Sequence, residues 1–203
     1  MANSIVLSAN YLPSVSYFHA IVKHGIGVTI DKYEHFPKQT YRNRARIATA
    51  NGILDLIVPI QHGRKERVPM KDVRLSYDHD WQSLHWRSIE TAYRSSAYFE
   101  FYEDDFRPFY EQKYEFLLDY NVEQFQLFKK ILKLKFEIDF TDAYEKEYLD
   151  KIDFREAIHP KKESIYITPK PYYQIFEERH GFVPDLSVID LIFNQGPQSK
   201  NYL

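Results

Sequence analysis

The sequence predicts an α/β fold: a single domain with a mixed parallel and antiparallel sheet, a β-hairpin and packed helices. Three observations support this prediction. A short apolar strand, a helix pattern and a second strand open the chain, which is typical of a β-α-β unit. An Asn-Gly pair between two strand-like segments indicates a hairpin. Apolar residues at three- and four-residue spacing recur later and indicate helices that pack on the sheet.

The composition limits the classes of protein to consider. The 203 residues contain no repeat and no long Pro/Gly/Ser linker, so residues 1–203 are predicted to form one domain. The absence of cysteine excludes disulfides, thiol catalysis and cysteine metal sites. A net charge of −2 argues against nucleic-acid binding. No apolar run could span a bilayer and no signal peptide is recognisable, so we expect a cytoplasmic protein without a membrane span.

The opening β-α-β unit indicates a candidate ligand site at one edge of the predicted sheet. Residues 4–8 and 28–30 are predicted to be parallel strands, and residues 14–24 the helix between them. Ligands collect at the carboxyl ends of such strands, where Tyr11 and Asp31 would lie. The alternative for Asp31 is that it only starts a turn.

A hairpin is predicted around Asn51-Gly52. Both central residues of a type I′ turn need a positive φ, which this pair tolerates. Residues 45–50 before the turn alternate in polarity. Residues 53–60 after it are nearly all apolar, as expected for a central strand with both faces covered.

Cationic and amide side chains gather on and before this hairpin. Arg44 and Arg46 would share one face of the first strand, because side chains alternate along a strand. Such a rigid, positively charged platform could hold a phosphate or carboxylate. The predicted substrate-binding residues are therefore Tyr11, Lys38, Tyr41, Arg42, Asn43 and Arg44.

Residues 78–99 contain the clearest helix, which Asp80 is predicted to cap. A histidine, His85, lies inside its apolar stripe. A histidine in this setting is either a hydrogen-bonded core residue or a catalyst, since modest burial keeps imidazole neutral and able to accept a proton. His85 is the candidate general base, and Asp31 is the candidate group that orients either His85 or the acceptor. The stripe predicted to be buried comprises Trp81, Leu84, His85, Ser88, Ile89, Ala92 and Tyr93.

Two further helical regions follow. Residues 98–120 are aromatic and acidic, and Pro108 divides them into two short helices. Residues 121–135 are predicted to form a helix that Asn121 caps. Four lysines near its end suit the helix dipole and require no ligand; they are Lys129, Lys130, Lys133 and Lys135. Aromatic residues make up 17% of the chain, and they form either a ring-built core or surfaces that stack on a sugar or base.

The last part of the chain offers a strand, a polar segment and a terminal helix. Residues 136–141 are predicted to be a short strand, and residues 73–76 are a further candidate. The segment 153–162 is either a structural loop or part of a site through Asp153, Arg155, His159 and Lys161. Ser187 is predicted to cap an apolar helix that docks on the core or on a second subunit, which would give a homodimer.

Several sequence signatures are missing. The chain contains no phosphate-binding loop of the G-x-x-x-x-G-K-[ST] type, no G-x-G-x-x-G, no G-x-S-x-G elbow and no H-E-x-x-H. These absences leave the cofactor unknown, and because the histidines are scattered, a metal site would require residues from distant parts of the chain. A phosphate would have to be held by Arg and Lys side chains.

The chain resembles the WbqC-like protein family over almost its whole length. The likeness runs through SANYLPSVSYFHAI, TIDKYEHFPKQTYRNRARI and NGILDLIVPI, then through WQSLHWRSIETAYRSSAYFEFY, DFREAIHPK and GFVPDLSVIDLIFNQGP. Ser8 and Ala9 depart from the Gln-Pro that many members have there. The resemblance implies a place in bacterial surface-polysaccharide (O-antigen) biosynthesis and transfer of an amino acid, glycine, onto a sugar. It implies no catalytic residue set.

Two functional hypotheses follow. The first is a transferase that moves an acyl or aminoacyl group from an activated, phosphorylated carrier to a sugar, with small molecules as its partners. A nucleotidyl-transfer variant is weaker, because the two-histidine signature of cytidylyltransferase-like folds is missing. The second is a non-catalytic sugar- or partner-binding protein of the same pathway. Burial and convergence of the predicted site residues should discriminate between the two.

Overall fold

A computed structural model of the chain describes residues 4–24, 27–61, 67–162 and 170–203. It confirms the α/β class, with a parallel sheet, an antiparallel hairpin and packed helices. The strands are β1 (Ser4–Ser8), β2 (Gly27–Asp31), β3 (Arg44–Thr49), β4 (Gly52–Ile57), β5 (Ile138–Phe140) and β6 (Ile152–Asp153). The helices are α1 (Val15–His24), α2 (Trp81–Tyr93), α3 (Phe99–Phe106), α4 (Pro108–Glu111), α5 (Leu117–Ile131), α6 (Glu177–His180) and α7 (Val188–Gln195).

The parallel sheet has the strand order β5-β2-β1-β6. The predicted β-α-β unit is confirmed, since β1 pairs in parallel with β2 from Ser4↔Gly27 to Ser8↔Asp31. The chain extends the sheet on one side through β5, which pairs with β2, and then returns to the other side of β1 with β6. The strand order therefore reverses between β1 and β6.

The hairpin forms as predicted, but its turn differs. Thr49 pairs with Gly52, so the two loop residues are Ala50 and Asn51 rather than Asn51 and Gly52. Within this turn only Gly52 has a positive φ, of 109°. This geometry is that of a turn followed by a glycine in the positive-φ region, which is a common alternative to the type I′ hairpin.

The prediction that β4 is a central strand covered on both faces is wrong. β3 and β4 form a two-stranded sheet of their own, so only one face of the hairpin packs on the core. Ile53 is 55% exposed and Ile57 is 45% exposed, whereas Leu56 is buried. An apolar run cannot by itself distinguish a two-sided buried strand from an edge strand.

Three other local predictions need correction. Residues 73–76 make only isolated bridges, including Ile60↔Leu75, and are not a strand. Leu84 is 58% exposed and does not belong to the buried stripe of α2, although Asp80 caps this helix by accepting from the Ser83 amide. Helix α5 begins at Leu117, so Asn121 lies inside the helix and does not cap it.

Aromatic rings build much of the core. Phe106 and Phe193 lie 5.2 Å apart, centroid to centroid, and Phe18 and Phe128 lie 5.7 Å apart. All four are at most 2% exposed. These contacts join α1 to α5 and α3 to α7, which is the arrangement expected of a core built on rings.

The terminal helix docks on the core of its own chain. Ser187 caps α7 as predicted, and its amide donates to the Arg46 carbonyl of β3. Asp190 of this helix is buried, and its carboxylate accepts from Tyr93, Tyr172 and Gln174. Burial raises the pKa of Asp190 to about 6, although these hydrogen bonds act in the opposite direction. Among the helices that the structure describes, none has both the length and the apolar character to cross a bilayer.

Candidate functional site

The reversal of strand order marks an edge of the sheet as a candidate site. In parallel α/β sheets, ligands bind outside the carboxyl ends of the strands where the order reverses. Here that point lies between β1 and β6, whose carboxyl ends are Ser8 and Asp153. The neighbouring strand β2 ends at Asp31. Three polar residues thus mark this carboxyl edge.

A buried ion pair lies beside the edge. The Arg42 guanidinium donates from Nε and Nη2 to the two carboxylate oxygens of Glu34, at 2.9 and 2.6 Å. Ser8 also donates to Glu34 from its hydroxyl, at 3.1 Å. Arg42 is 2% exposed and Glu34 is 4% exposed. Burial raises the pKa of Glu34, and the bonds from Arg42 oppose that shift. The bidentate contact with the guanidinium is the geometry of a charged pair.

A second ion-pair group joins β2 to β6. Arg155 donates from Nη1 to Asp31 at 2.6 Å and from Nη2 to Asp153 at 2.5 Å. Asp31 is fully buried and also accepts from the Thr141 hydroxyl and from the amides of Tyr33 and Glu34. The bonds from the Tyr33 and Glu34 amides fit the interpretation of Asp31 as the start of a turn. Its role in a site stays a prediction.

The ion pair of Arg42 reaches the surface through Glu156. Arg42 Nη2 also lies 3.4 Å from Glu156, whose side chain is 71% exposed. His159 lies on the same segment, and partial burial and then the Lys162 charge lower its pKa. Lys161 donates to the Gln39 amide oxygen at 2.6 Å and links this segment to the loop before β3. We call Glu156, His159, Lys161 and Gln39 the rim.

An aromatic cluster lies on the other side of the loop after β1. The Tyr11 hydroxyl is 2.9 Å from Nδ1 of His85 and 3.1 Å from the Tyr110 hydroxyl. His85 is 7% exposed, and burial lowers its pKa to about 4 although a hydrogen bond to the Ile57 backbone opposes the shift. The imidazole is therefore neutral at physiological pH. With the other ring nitrogen occupied by Ile57, Nδ1 is the nitrogen that faces Tyr11.

The loop after β1 is surrounded by buried polar atoms that lack a hydrogen-bond partner. Asn10 Oδ1 lies in the loop itself. Gln124 Nε2 has no partner placed with hydrogen-bond geometry, although the Tyr120 hydroxyl is a polar neighbour, and its Oε1 accepts from the Leu12 amide. The Tyr120 ring stacks on Tyr11, 5.8 Å away, and its hydroxyl has polar neighbours but none placed with hydrogen-bond geometry. The unpaired atoms around this loop, which we call the unpaired set, are Asn10 Oδ1, Trp81 Nε1, Tyr120 OH, Asn121 Oδ1 and Gln124 Nε2. Four other such atoms in the described residues belong to His19, Arg44, Tyr148 and Asn194.

Asn121 connects the aromatic cluster to the ion pairs. Its Nδ2 donates to the Ala9 carbonyl at 2.9 Å and to the Arg42 carbonyl at 2.7 Å. Its Oδ1 belongs to the unpaired set. Because buried polar groups are nearly always paired, several unpaired ones near one loop call for a water or ligand to satisfy them.

Comparison with known proteins shows to which family the chain belongs. The sequence model of the WbqC-like protein family matches residues 9–158 and 140–202. The chain belongs to this family. It is 25% identical to "Uncharacterized protein Rv1507c" of Mycobacterium tuberculosis, in a match that covers 100% of this chain and 98% of that protein. No solved structure matches the chain.

In this member of the WbqC-like family, the hairpin does not present free arginines. Arg44 and Arg46 both bond to Asp55 of β4, each at 3.2 Å. Asn43 donates to the Val58 carbonyl and so closes the base of the hairpin. The two guanidinium groups share one carboxylate, so a net charge of +1 remains on the hairpin, and its use as an anion platform stays a prediction.

The other predicted site residues divide between two places. Arg42 and Asp31 lie near each other, since Glu34 contacts both. Tyr11 and His85 form the aromatic cluster. Within the described ranges, no hydrogen bond joins Asp31 to His85, and the Ile57 backbone occupies the position in which Asp31 is expected to orient the ring. Lys38 is exposed, and burial raises the pKa of Tyr41, beside Arg46, above its ordinary range.

Sequence reasoning missed Glu34, Asn121 and Gln124. Glu34 follows Asp31 by three residues directly after a predicted strand, which is an available signal for a second acid at the sheet edge. Asn121 is predicted to be a helix cap because Asn and a later Gln fit that pattern. In the part of the chain that the structure describes, no three His, Asp or Glu side chains are placed to hold a metal ion.

Proposed function

We propose that this WbqC-like protein is a cytoplasmic transferase of bacterial surface-polysaccharide biosynthesis. It moves an acyl or aminoacyl group, such as glycine, from an activated phosphorylated carrier to a sugar. The observation that carries the proposal is the unpaired set around the loop after β1. Those atoms comprise donors, acceptors and a hydroxyl but no charge, and they lie among rings of Trp81, Tyr11 and Tyr120. Uncharged hydrogen-bonding groups beside aromatic rings suit a sugar.

The carrier phosphate belongs at the rim. Glu156 is the exposed partner of Arg42, and its contact of 3.4 Å is longer than those from Arg42 to Glu34. An anionic group of the substrate would replace Glu156 and gain a charge-assisted hydrogen bond from Arg42. Lys161 and the exposed Lys38 would add to the attraction.

The acceptor proton has a path through Tyr11. The sugar amine or hydroxyl attacks the acyl carbon, the new C–N or C–O bond forms, and the bond from the acyl carbon to the phosphate oxygen breaks. The phosphate leaves with the electron pair. The acceptor proton passes to the Tyr11 oxygen while the Tyr11 proton passes to Nδ1 of His85, 2.9 Å away. General-base assistance of this kind contributes about 10²- to 10⁴-fold to the rate.

The criterion of burial and convergence favours the second hypothesis, a non-catalytic sugar- or partner-binding protein, because the predicted site residues divide between two places and His85 is 7% exposed. Arg42 is almost fully engaged by Glu34, and His85 bonds to Tyr11 on one side and to Ile57 on the other. Side chains that are fixed by such bonds also suit a rigid binding surface. The two hypotheses agree on the ligand and differ only in turnover.

A turnover assay separates them. The purified protein is incubated with amino- and hydroxyl-bearing nucleotide-sugars and glycyl phosphate, and the products are read by mass spectrometry. The transferase proposal expects glycyl-sugar, and it expects Tyr11→Phe to lower kcat by about 10²-fold or more. Binding of the nucleotide-sugar without product in the wild type would leave only the binding protein.

The matched control is Tyr102→Phe. Tyr102 is also buried but lies in α3, away from the loop after β1. This variant should turn over at the wild-type rate. An equal loss in both variants would mean that the effect of Tyr11→Phe is not specific to the site.

A further inference from the structure

A groove at the end of α5 is lined by four lysines. Its volume is about 520 Å³, which is within the range of small-molecule sites. One glutamate, Glu137, also lines it, so the lining carries a net charge of +3. The lysines are Lys129, Lys130, Lys133 and Lys135.

These lysines are poorly neutralised by the protein. Lys130 lies 4.0 Å from Asp105 and is otherwise exposed. Lys129 lies over the Phe136 ring, 5.1 Å from its centroid. In the described part of the chain, no salt bridge is formed by Lys129, Lys133 or Lys135. Like charges held together without counter-charge repel one another, and an anion in the groove would relieve the repulsion.

The backbone at Lys133 is a further feature of the groove. Helix α5 ends with the Lys133 amide donating to the Lys130 carbonyl at 3.1 Å and the Leu134 amide donating to the Lys129 carbonyl at 3.0 Å. This termination places Lys133 at a φ of 52°. Glycine is the usual residue at that position, since a side chain there is strained. Folding alone therefore favours glycine, whereas the groove gains a fourth cation from lysine.

We propose that this groove binds a phosphate-rich anion of the diphosphate class. Lysine ammonium groups act as compact point charges and bind phosphate without the planar match that arginine needs for carboxylates. The groove lies at Ile138, the amino end of β5, which pairs with Val28 near the start of β2. It is therefore at the opposite edge of the sheet from the loop after β1, and the proposal does not depend on the transferase activity.

The test is calorimetric titration with inorganic pyrophosphate at low salt. Lys133→Gln removes one charge and keeps the strained backbone, and it should weaken binding about fivefold. Lys133→Gly should weaken binding to the same extent while Tm stays unchanged or rises, because the strain at positive φ is relieved. The control is Lys23→Gln, in the last turn of α1, which should bind as the wild type does.

A second arm identifies the source of the phosphate. Sedimentation with vesicles of phosphatidylglycerol and phosphatidylcholine tests a lipid headgroup, and the pyrophosphate titration tests a soluble ligand. Binding in either arm that is weakened by both Lys133 variants and kept by Lys23→Gln supports the groove. The proposal is overturned if the Lys133 variants match the wild type in both arms, or if Lys23→Gln loses as much.

Discussion

At the scale of single residues, the pair Glu34 and Arg42 decides how the sheet edge holds its charge. The two side chains form a bidentate contact with almost no exposure. Sequence reasoning selects Arg42 as a site residue but gives it an external anion as partner. The internal partner, Glu34, is eight residues away across a loop, and no local pattern specifies that two such side chains will meet.

Removing one member of this pair should be strongly destabilising. Arg42→Met leaves Glu34 buried without a cation, which should lower the free energy of unfolding by about 3–5 kcal/mol in urea denaturation. The double variant Arg42→Met/Glu34→Leu should recover much of that loss, because no charge stays unpaired. Glu156→Gln, at an exposed position, should stay within about 0.5 kcal/mol of the wild type. A loss below about 1 kcal/mol in Arg42→Met would show that the pair does not hold two charges in the interior.

The pKa shifts of Asp190 and His85 predict opposite effects of pH on stability. For Asp190 the pKa rises from 3.8 to about 6, so its stabilising contribution is full below about pH 4 and is lost as the pH rises through 6. For His85 the pKa falls from 6.5 to about 4, so its contribution is full above about pH 6.5 and is lost as the pH falls through 4. Each titration changes the free energy of unfolding by about 3 kcal/mol.

The variants Asp190→Asn and His85→Gln should separate the two effects. Relative to the wild type, Asp190→Asn should gain unfolding free energy as the pH rises from about 4 to 7, and His85→Gln should gain it as the pH falls over the same range. Urea denaturation at intervals of pH measures both differences. Parallel pH profiles for wild type and variants would show that neither group titrates as described.

At the scale of elements, signals within a few neighbouring residues predict the helix caps correctly, whereas they do not predict burial or pairing register. The Asp80 and Ser187 caps form as expected because the side chain and its amide partner are two or three residues apart. The predicted burial of β4 is wrong because burial depends on whether further strands join the hairpin, and the hairpin stays two-stranded. The turn at Ala50 and Asn51 depends on the pairing register, which the Asn-Gly signal does not specify.

The junction after α7 gives a prediction at this scale. Gly196 follows α7 at a φ of 51°, and an added Cβ would clash with the Tyr98 ring at the start of α3. Gly196→Ala should therefore lower the free energy of unfolding by about 3 kcal/mol or more, from strain and overpacking together. Gly181→Ala is the matched control, with a φ of 70° and open space around the Cβ. It should lose about 1–3 kcal/mol from backbone strain alone, and therefore less than Gly196→Ala.

Differential scanning calorimetry of both glycine variants provides the comparison. The larger loss in Gly196→Ala reports the packing of α3 against α7, which the bond from the Tyr98 amide to the Phe193 carbonyl also supports. Equal losses in the two variants would show that the Tyr98 ring can move aside and that the junction is not tightly packed.

At the scale of the whole molecule, the sequence is sufficient for the α/β class and for the parallel pair that opens the chain. The sequence predicts the sheet edge at which the candidate site lies, but not all the residues that surround it. The rule about carboxyl ends of strands points to Tyr11 and Asp31, and the structure adds the reversal of strand order between β1 and β6. The unpaired set could not be predicted, because its members come from α2, α5 and the loop after β1 and are brought together only by packing.

The two edges of the sheet carry different chemistry. Uncharged donors and acceptors surround the loop after β1, with buried ion pairs beside them. Poorly neutralised lysines line the groove at the amino end of β5. We propose the first edge for the sugar and the acyl group, and the second edge for a separate phosphate-rich anion.

The decisive experiment for the site is the affinity of Tyr120→Phe for a nucleotide-sugar. The substitution keeps the ring and removes a hydroxyl for which the protein provides no well-placed partner. Titration calorimetry should show an affinity about tenfold weaker than that of the wild type and of Tyr102→Phe, with Tm unchanged or raised, because an unsatisfied buried hydroxyl stabilises nothing. An affinity equal to that of the wild type would mean that the loop after β1 is not where the sugar binds.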